Sequence, residues 1–138
     1  MSNQPDAVKV VRTLLGIVKE EYQAKGQLSP EVLQSLYAVH GQSLQNALDL
    51  IDSKNITVVT STSGRWLYQV TGSLGTPYVC LPNSVFCQCP AFKYSVVKRR
   101  ENILCKHVLA AWLSSAMGLS EQKSVSDEYL QDMLTCLE

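Results

Sequence analysis

Over residues 1–55 the apolar positions recur every three or four residues, the spacing that gathers them on one face of a helix. Val8, Val11, Leu14, Leu15 and Val18 predict a first helix that begins at Pro5 and stops at Gly26. Ser29-Pro30-Glu31 supplies an N-cap, a proline suited to the first turn and an acid facing the helix dipole. A second helix is therefore predicted through Val32, Leu33, Leu36 and Tyr37 to His40-Gly41, with His40 as a helix-end group. A third is predicted from Ser43 to Asp52, with Leu44, Ala47, Leu48 and Ile51 along one face and Ser53-Lys54-Asn55 breaking the pattern.

At Ile56 the period falls to two, the signature of strands. Ile56-Thr57-Val58-Val59-Thr60 is β-branched throughout, Arg65 to Thr71 alternates through Trp66, Tyr68 and Val70, and Tyr78-Val79-Cys80-Leu81 follows. The clusters Ser61-Thr62-Ser63-Gly64 and Gly72-Ser73-Leu74-Gly75 join them as turns, which predicts a three-stranded antiparallel meander. The second cluster is not a phosphate loop: no Lys-Ser/Thr follows it, and it opens a strand where such a loop must open a helix. After Pro82-Asn83-Ser84, helices are predicted over Pro90–Arg99 and Lys106–Met117, the latter ended by Gly118. Ser126-Asp127-Glu128 caps a last short helix carrying Leu130, Met133, Leu134 and Leu137. The expected class is α+β, one compact unit of three regions: N-terminal helices (1–55), a β-meander with a metal-binding segment (56–118) and a C-terminal helical tail (119–138).

Composition changes this picture little. With 138 residues, 46% of them hydrophobic and 17% charged, the chain suits a single domain that buries about two-thirds of its unfolded surface and needs no disulfide staples. No apolar run is long enough to span a bilayer, and Met1 to Asp6 has neither the basic nor the apolar part of a leader, so no membrane role or export is expected. Five cysteines without an export signal point to a reducing compartment, where clustered thiols bind metal more often than they pair.

Four of the seven Cys and His residues fall in one short stretch, Cys87-Gln88-Cys89 and Cys105-Lys106-His107, with fifteen residues between the pairs. Zinc takes four soft or borderline donors in a tetrahedron, and two close pairs provide them. Both thiols of a CxC face one ion when the middle residue takes up a turn, and a pair opening a helix gains from the helix amides. Cys87, Cys89, Cys105 and His107 are therefore the expected ligands of one structural Zn²⁺. Cys80, in an apolar strand, and Cys136, on an apolar helix, are expected to be packing residues. A Cys105/His107 nucleophile and base is the weaker reading, because it leaves Cys87 and Cys89 without a role and four protein donors leave the metal no position for water.

The formal charge is zero, but residues 56–107 hold six basic groups and one acidic, whereas residues 108–138 hold one basic and five acidic. Lys93, Lys98, Arg99, Arg100 and Lys106 lie among the ligand pairs. They are candidates either for contacting nucleic-acid phosphates or for neutralising an anionic metal site on a solvated face. Phe92 and Tyr94 lie among them, and Phe92, following Pro90 and Ala91, is expected in the core.

Tyr68-Gln69-Val70-Thr71-Gly72-Ser73, Tyr78-Val79-Cys80, Cys87-Gln88-Cys89-Pro90-Ala91-Phe92 and Ile103-Leu104-Cys105-Lys106-His107-Val108-Leu109-Ala110 together resemble the SWIM-type zinc finger, over about residues 66–115. With the helical preface, including Ala47-Leu48-Asp49-Leu50-Ile51-Asp52, and the acidic tail, the chain is similar to the small SWIM-domain subunits of the vertebrate Shu complex. That resemblance implies a nuclear, non-catalytic subunit in homologous-recombination DNA repair. It would form a heterodimer with a RecA-like recombinase paralogue that has ATPase activity, and assist recombinase filament assembly on single-stranded DNA through the complex. It also implies no small-molecule substrate. An autonomous nucleic-acid-binding finger, or a zinc-stabilised adaptor of another process, is the alternative.

Overall fold

In the computed structural model, which describes residues 6–90, 92, 96–97 and 102–135, three helices lead into a sheet, as the spacing predicts. Helix α1 (Asp6–Lys25) buries Val8, Val11 and Val18. It ends where Gly26 takes a left-handed φ of 71° and its amide donates to Tyr22 O at 2.8 Å. Helix α2 (Pro30–His40) is capped by the Ser29 hydroxyl, which accepts from the Val32 amide at 3.3 Å. Its last residue, His40, is buried, and Gly41 reverses the chain directly into α3 (Gln42–Asp52).

Strands β1 (Ile56–Ser61), β2 (Trp66–Thr71) and β3 (Pro77–Cys80) form the expected antiparallel meander, with Val58 opposite Tyr68 and Tyr68 opposite Cys80. The Gly72–Gly75 segment is the hairpin turn read from the sequence: the Gly75 amide donates to Gly72 O at 2.9 Å, and Gly75 has φ 85°.

The sheet differs from the expectation in one respect. It has four strands and is mixed, because β4 (Glu121–Val125) pairs parallel with β1, giving the order β3-β2-β1-β4. The stretch expected to be a purely helical tail thus supplies an edge strand before α5 (Asp127–Thr135). Glu121, Gln122, Lys123 and Ser124 are exposed, so the strand has no apolar alternation; the backbone groups on the open edge of β1 form it.

Alternation along the strands separates two apolar layers. Ile56, Tyr68, Val70 and Cys80 join the large core beneath the helices, whereas Val59, Leu67 and Val79 point to the other side, where Leu130 of α5 covers them. The centre of the large core is α4 (Lys106–Met117), which buries every residue from His107 to Ser114. A helix buried all round is fixed by its neighbours on all sides, and α4 lies among α1, α3 and the sheet. Gly118 ends it in the left-handed conformation, as expected.

Candidate metal centre

The chain leaving β3 turns back on it, and Cys80 and Cys87 form an isolated antiparallel bridge. Gln88, between the first two candidate ligands, is tied to β3 twice: its amide donates to Val79 O at 3.0 Å, and its side-chain carbonyl accepts from the Val79 amide at 3.2 Å. This fixes the turn that a CxC pair needs, and the Cys89 amide donates to Cys87 Sγ at 3.4 Å. Cys105 is the N-cap of α4, its Sγ accepting from the Val108 amide at 3.4 Å, and His107 follows in the first helical turn.

These local arrangements bring the two pairs together. The ligand atoms of Cys87, Cys89, Cys105 and His107 all lie within 4.8 Å of one another, and all four residues are buried. A tetrahedron with zinc bonds of about 2.0–2.3 Å has edges of about 3.3–3.8 Å, so an adjustment of about 1 Å closes the set on one ion. The Nδ1 of His107 is buried and has no hydrogen-bond partner among the described residues, which leaves that nitrogen available to an ion. Its Nε2 lies towards Gly72, where a Cβ would stand 3.6 Å from it. Tyr78 covers the imidazole, with ring centroids 4.7 Å apart.

The thiols compete for protons. Hydrogen bonds from Cys105, and then from Cys87, hold the Cys89 thiol far below its usual range. Cys105 is pushed far up, because its hydrogen bonds with Cys87 and Cys89 and its burial favour the protonated form. A dication removes this conflict by stabilising all three thiolates together. Three soft sulfurs and one imidazole fit zinc, and four protein donors complete its coordination. The ion supplies a crosslink between the β3 return segment and α4. Cys80 is buried in the same core but is not one of the four donors, as expected, while Cys136 lies outside the described residues.

Among the cations proposed from the sequence, Lys106 is described: it is half-buried at the start of α4 and lines a recess of about 150 Å³ with Gly72, Thr76, Tyr78 and His107. Lys93, Lys98, Arg99 and Arg100 lie outside the described residues, as does Tyr94. Most of the helix read over Pro90–Arg99 lies there too, although Phe92, Val96 and Val97 are helical. Phe92 packs on the core, its ring 5.3 Å from that of Phe86. Sequence reasoning missed a separate cleft in which Arg12 and Lys19 of α1 meet Trp66 and Trp112. Its local signal is Arg12, Gly16 and Lys19 on one face of α1, but the aromatic wall comes from distant segments.

The chain is similar to known proteins over nearly its whole length. The SWIM zinc finger family model matches residues 68–115, which contain all four donors. Human zinc finger SWIM domain-containing protein 7 is 44% identical over 125 residues, 91% of this chain and 89% of that protein. The zebrafish (Danio rerio) protein of that name is 40% identical, covering 93% of this chain and 91% of its own length. A Dictyostelium discoideum homologue is 32% identical over 80% of this chain and 72% of its own. No solved structure matches. With the CxC and CxH pairs gathered into one buried cluster and this similarity reaching well beyond the finger, the chain belongs to the SWIM zinc finger family, alongside zinc finger SWIM domain-containing protein 7.

Proposed function

We propose that this protein is a non-catalytic subunit of a Shu-type complex in homologous-recombination DNA repair. In this reading it acts in the nucleus, forms a heterodimer with a RecA-like recombinase paralogue that has ATPase activity, and assists recombinase filament assembly on single-stranded DNA. The observation that carries the reading is the extent of the similarity: 91% of the chain aligns with the human relative, so the helical preface is shared as well as the finger.

Two features of the chain support it. The Gly72–Gly75 turn joins two strands, so it does not cradle nucleotide phosphates, and an ATP-binding partner supplies that activity in the complex. Helix α1 buries Val8, Val11 and Val18 on one side while Val10 and Ile17, seven positions apart, are exposed on another. A second apolar stripe of this kind suits a partner.

Co-expression with RecA-like recombinase paralogues, followed by size-exclusion chromatography, tests the reading. The expected result is a heterodimer containing one zinc per copy of this chain, lost in Val10→Glu/Ile17→Glu while zinc content and helicity are retained. A well-behaved monomer with no affinity for any such ATPase would overturn it.

A further inference from the structure

The cleft between α1, β2 and α4 has a chemistry that the metal centre does not use. It is about 320 Å³ in volume, near the lower end of the roughly 300–1,000 Å³ typical of small-ligand sites. Arg12 and Lys19 stand in its wall, and no carboxylate is among its described lining residues. The Arg12 guanidinium lies over the Trp112 ring, 4.7 Å from its centroid. Trp66 meets Tyr68 edge to face at 5.1 Å and remains 37% exposed, and the Tyr68 hydroxyl is fixed to Ser115 Oγ at 2.6 Å. The aromatic wall is thus oriented by its neighbours while part of it faces solvent.

Gly16 adds an independent observation. It sits within the twenty-residue helix α1, where glycine is a poor helix former, and a Cβ there would meet no heavy atom of the described residues within 4 Å beyond its own stretch of helix backbone. Packing does not demand the glycine. Its effect is to leave the cleft open between the two cations.

We infer that this cleft takes one unstacked nucleotide of a single-stranded nucleic acid, with its base against Trp66 and its phosphate towards Arg12 and Lys19. A ligand that fits must be anionic and must carry a flat, apolar face, and a nucleotide has both. In a duplex the base faces are covered by stacking, so the single strand is the form that fits. The inference rests on the single-strand half of the function proposed above and assigns it to named residues of this chain.

The test uses the zinc-loaded full chain. Both of its tryptophans, Trp66 and Trp112, line the cleft, so their fluorescence reports occupancy directly. Oligothymidylate at low salt is expected to quench them saturably, whereas duplex DNA, thymidine monophosphate and polyglutamate do so much more weakly. By anisotropy of a labelled oligonucleotide, Trp66→Ala, Lys19→Glu and Gly16→Met each raise Kd about tenfold or more. Gly16→Met keeps a melting temperature at or above that of the parent, which separates blocked binding from lost folding. The inference is overturned if these variants bind as the parent does, if polyglutamate or the mononucleotide competes as well as the oligonucleotide, or if no quenching occurs. It also falls if Arg99→Glu/Arg100→Glu alone removes binding while the cleft variants retain it. Co-purification of the recombinase paralogue with the same variants keeps the two readings apart: retained partner binding with an inert cleft overturns only this inference, and a working cleft without any partner overturns the complex.

Discussion

The rings of Tyr78 and His107 lie 4.7 Å apart at 45° to one another, directly above the glycine at position 72. A Cβ on Gly72 would stand 3.2 Å from Tyr78 Cε2 and 3.6 Å from His107 Nε2, so a side chain here requires the Tyr78 ring to give by a few tenths of an ångström. Tyr78 packs against the imidazole of a metal donor, the role that groups behind metal ligands commonly perform. Tyr78→Leu is therefore expected to lower zinc affinity about tenfold, and Gly72→Ala to act in the same direction by displacing the Tyr78 ring. Competition with a chromophoric chelator measures both, and unchanged affinity in both would show that the ring contact does not orient the ligand.

Cys105 is both a metal donor and the N-cap of α4, the helix at the centre of the large core. Structural zinc contributes about 10 kcal/mol or more in small modules, comparable with the whole net stability of about 5–15 kcal/mol of a domain. Cys105→Ser is expected to lose zinc and most of its helical circular dichroism, and a strong chelator to do the same to the parent chain. Cys80→Ala, by contrast, should keep one zinc per chain and cost about 1–2 kcal/mol. Zinc content by native mass spectrometry separates the two cysteines; loss of the metal in Cys80→Ala would make Cys80 a fourth thiol on which the site depends.

Leu130 is 1% exposed and closes the second apolar layer against Val59, Leu67 and Val79. Its helix is also tied to the β1–β2 turn, where Asp127 accepts from the Ser63 amide at 3.0 Å and the Ser63 hydroxyl at 2.8 Å. Leu130→Ala is expected to destabilise the chain by about 2–5 kcal/mol in urea unfolding while zinc content stays at one. A change below about 0.5 kcal/mol would mean that α5 contributes no core.

His40 ends α2 but is buried, and burial pushes its pKa down from 6.5 to about 4. A helix C-terminus favours an imidazolium, so desolvation outweighs the dipole here. Because the folded value lies below the unfolded one, the contribution is fully present above pH 6.5, declines as the pH falls towards 4, and changes no further below that. The stability of the parent relative to His40→Leu should therefore fall by at most about 3 kcal/mol as the pH is lowered over this range. Taking the difference cancels protonation of the zinc ligands, which both proteins share. A difference independent of pH would show that His40 has the same pKa in the folded and unfolded chain, so that burial does not depress it.

Much of this protein is written in short stretches of its sequence. Helix ends are local chemistry: Ser29 caps α2, and Gly26 and Gly118 terminate α1 and α4 where the sequence places them. The four metal donors were also legible, because two residues apart in a turn, or at the start of a helix, is close enough to share an ion once the two pairs meet. The meander followed from alternation within each strand.

What tertiary structure decided is what no single segment carries. Glu121–Val125 has a polar, exposed sequence, and it becomes β4 because the open edge of β1 offers its backbone groups a partner. The cleft joins residues 12, 16 and 19 to Trp66 and Trp112, positions that only the packing of α4 between α1 and the sheet brings together. Periodicity and ligand spacing act over a few residues and can be read from them. An edge strand without an apolar face, and a site shared by three elements, exist because other parts of the chain fold around them.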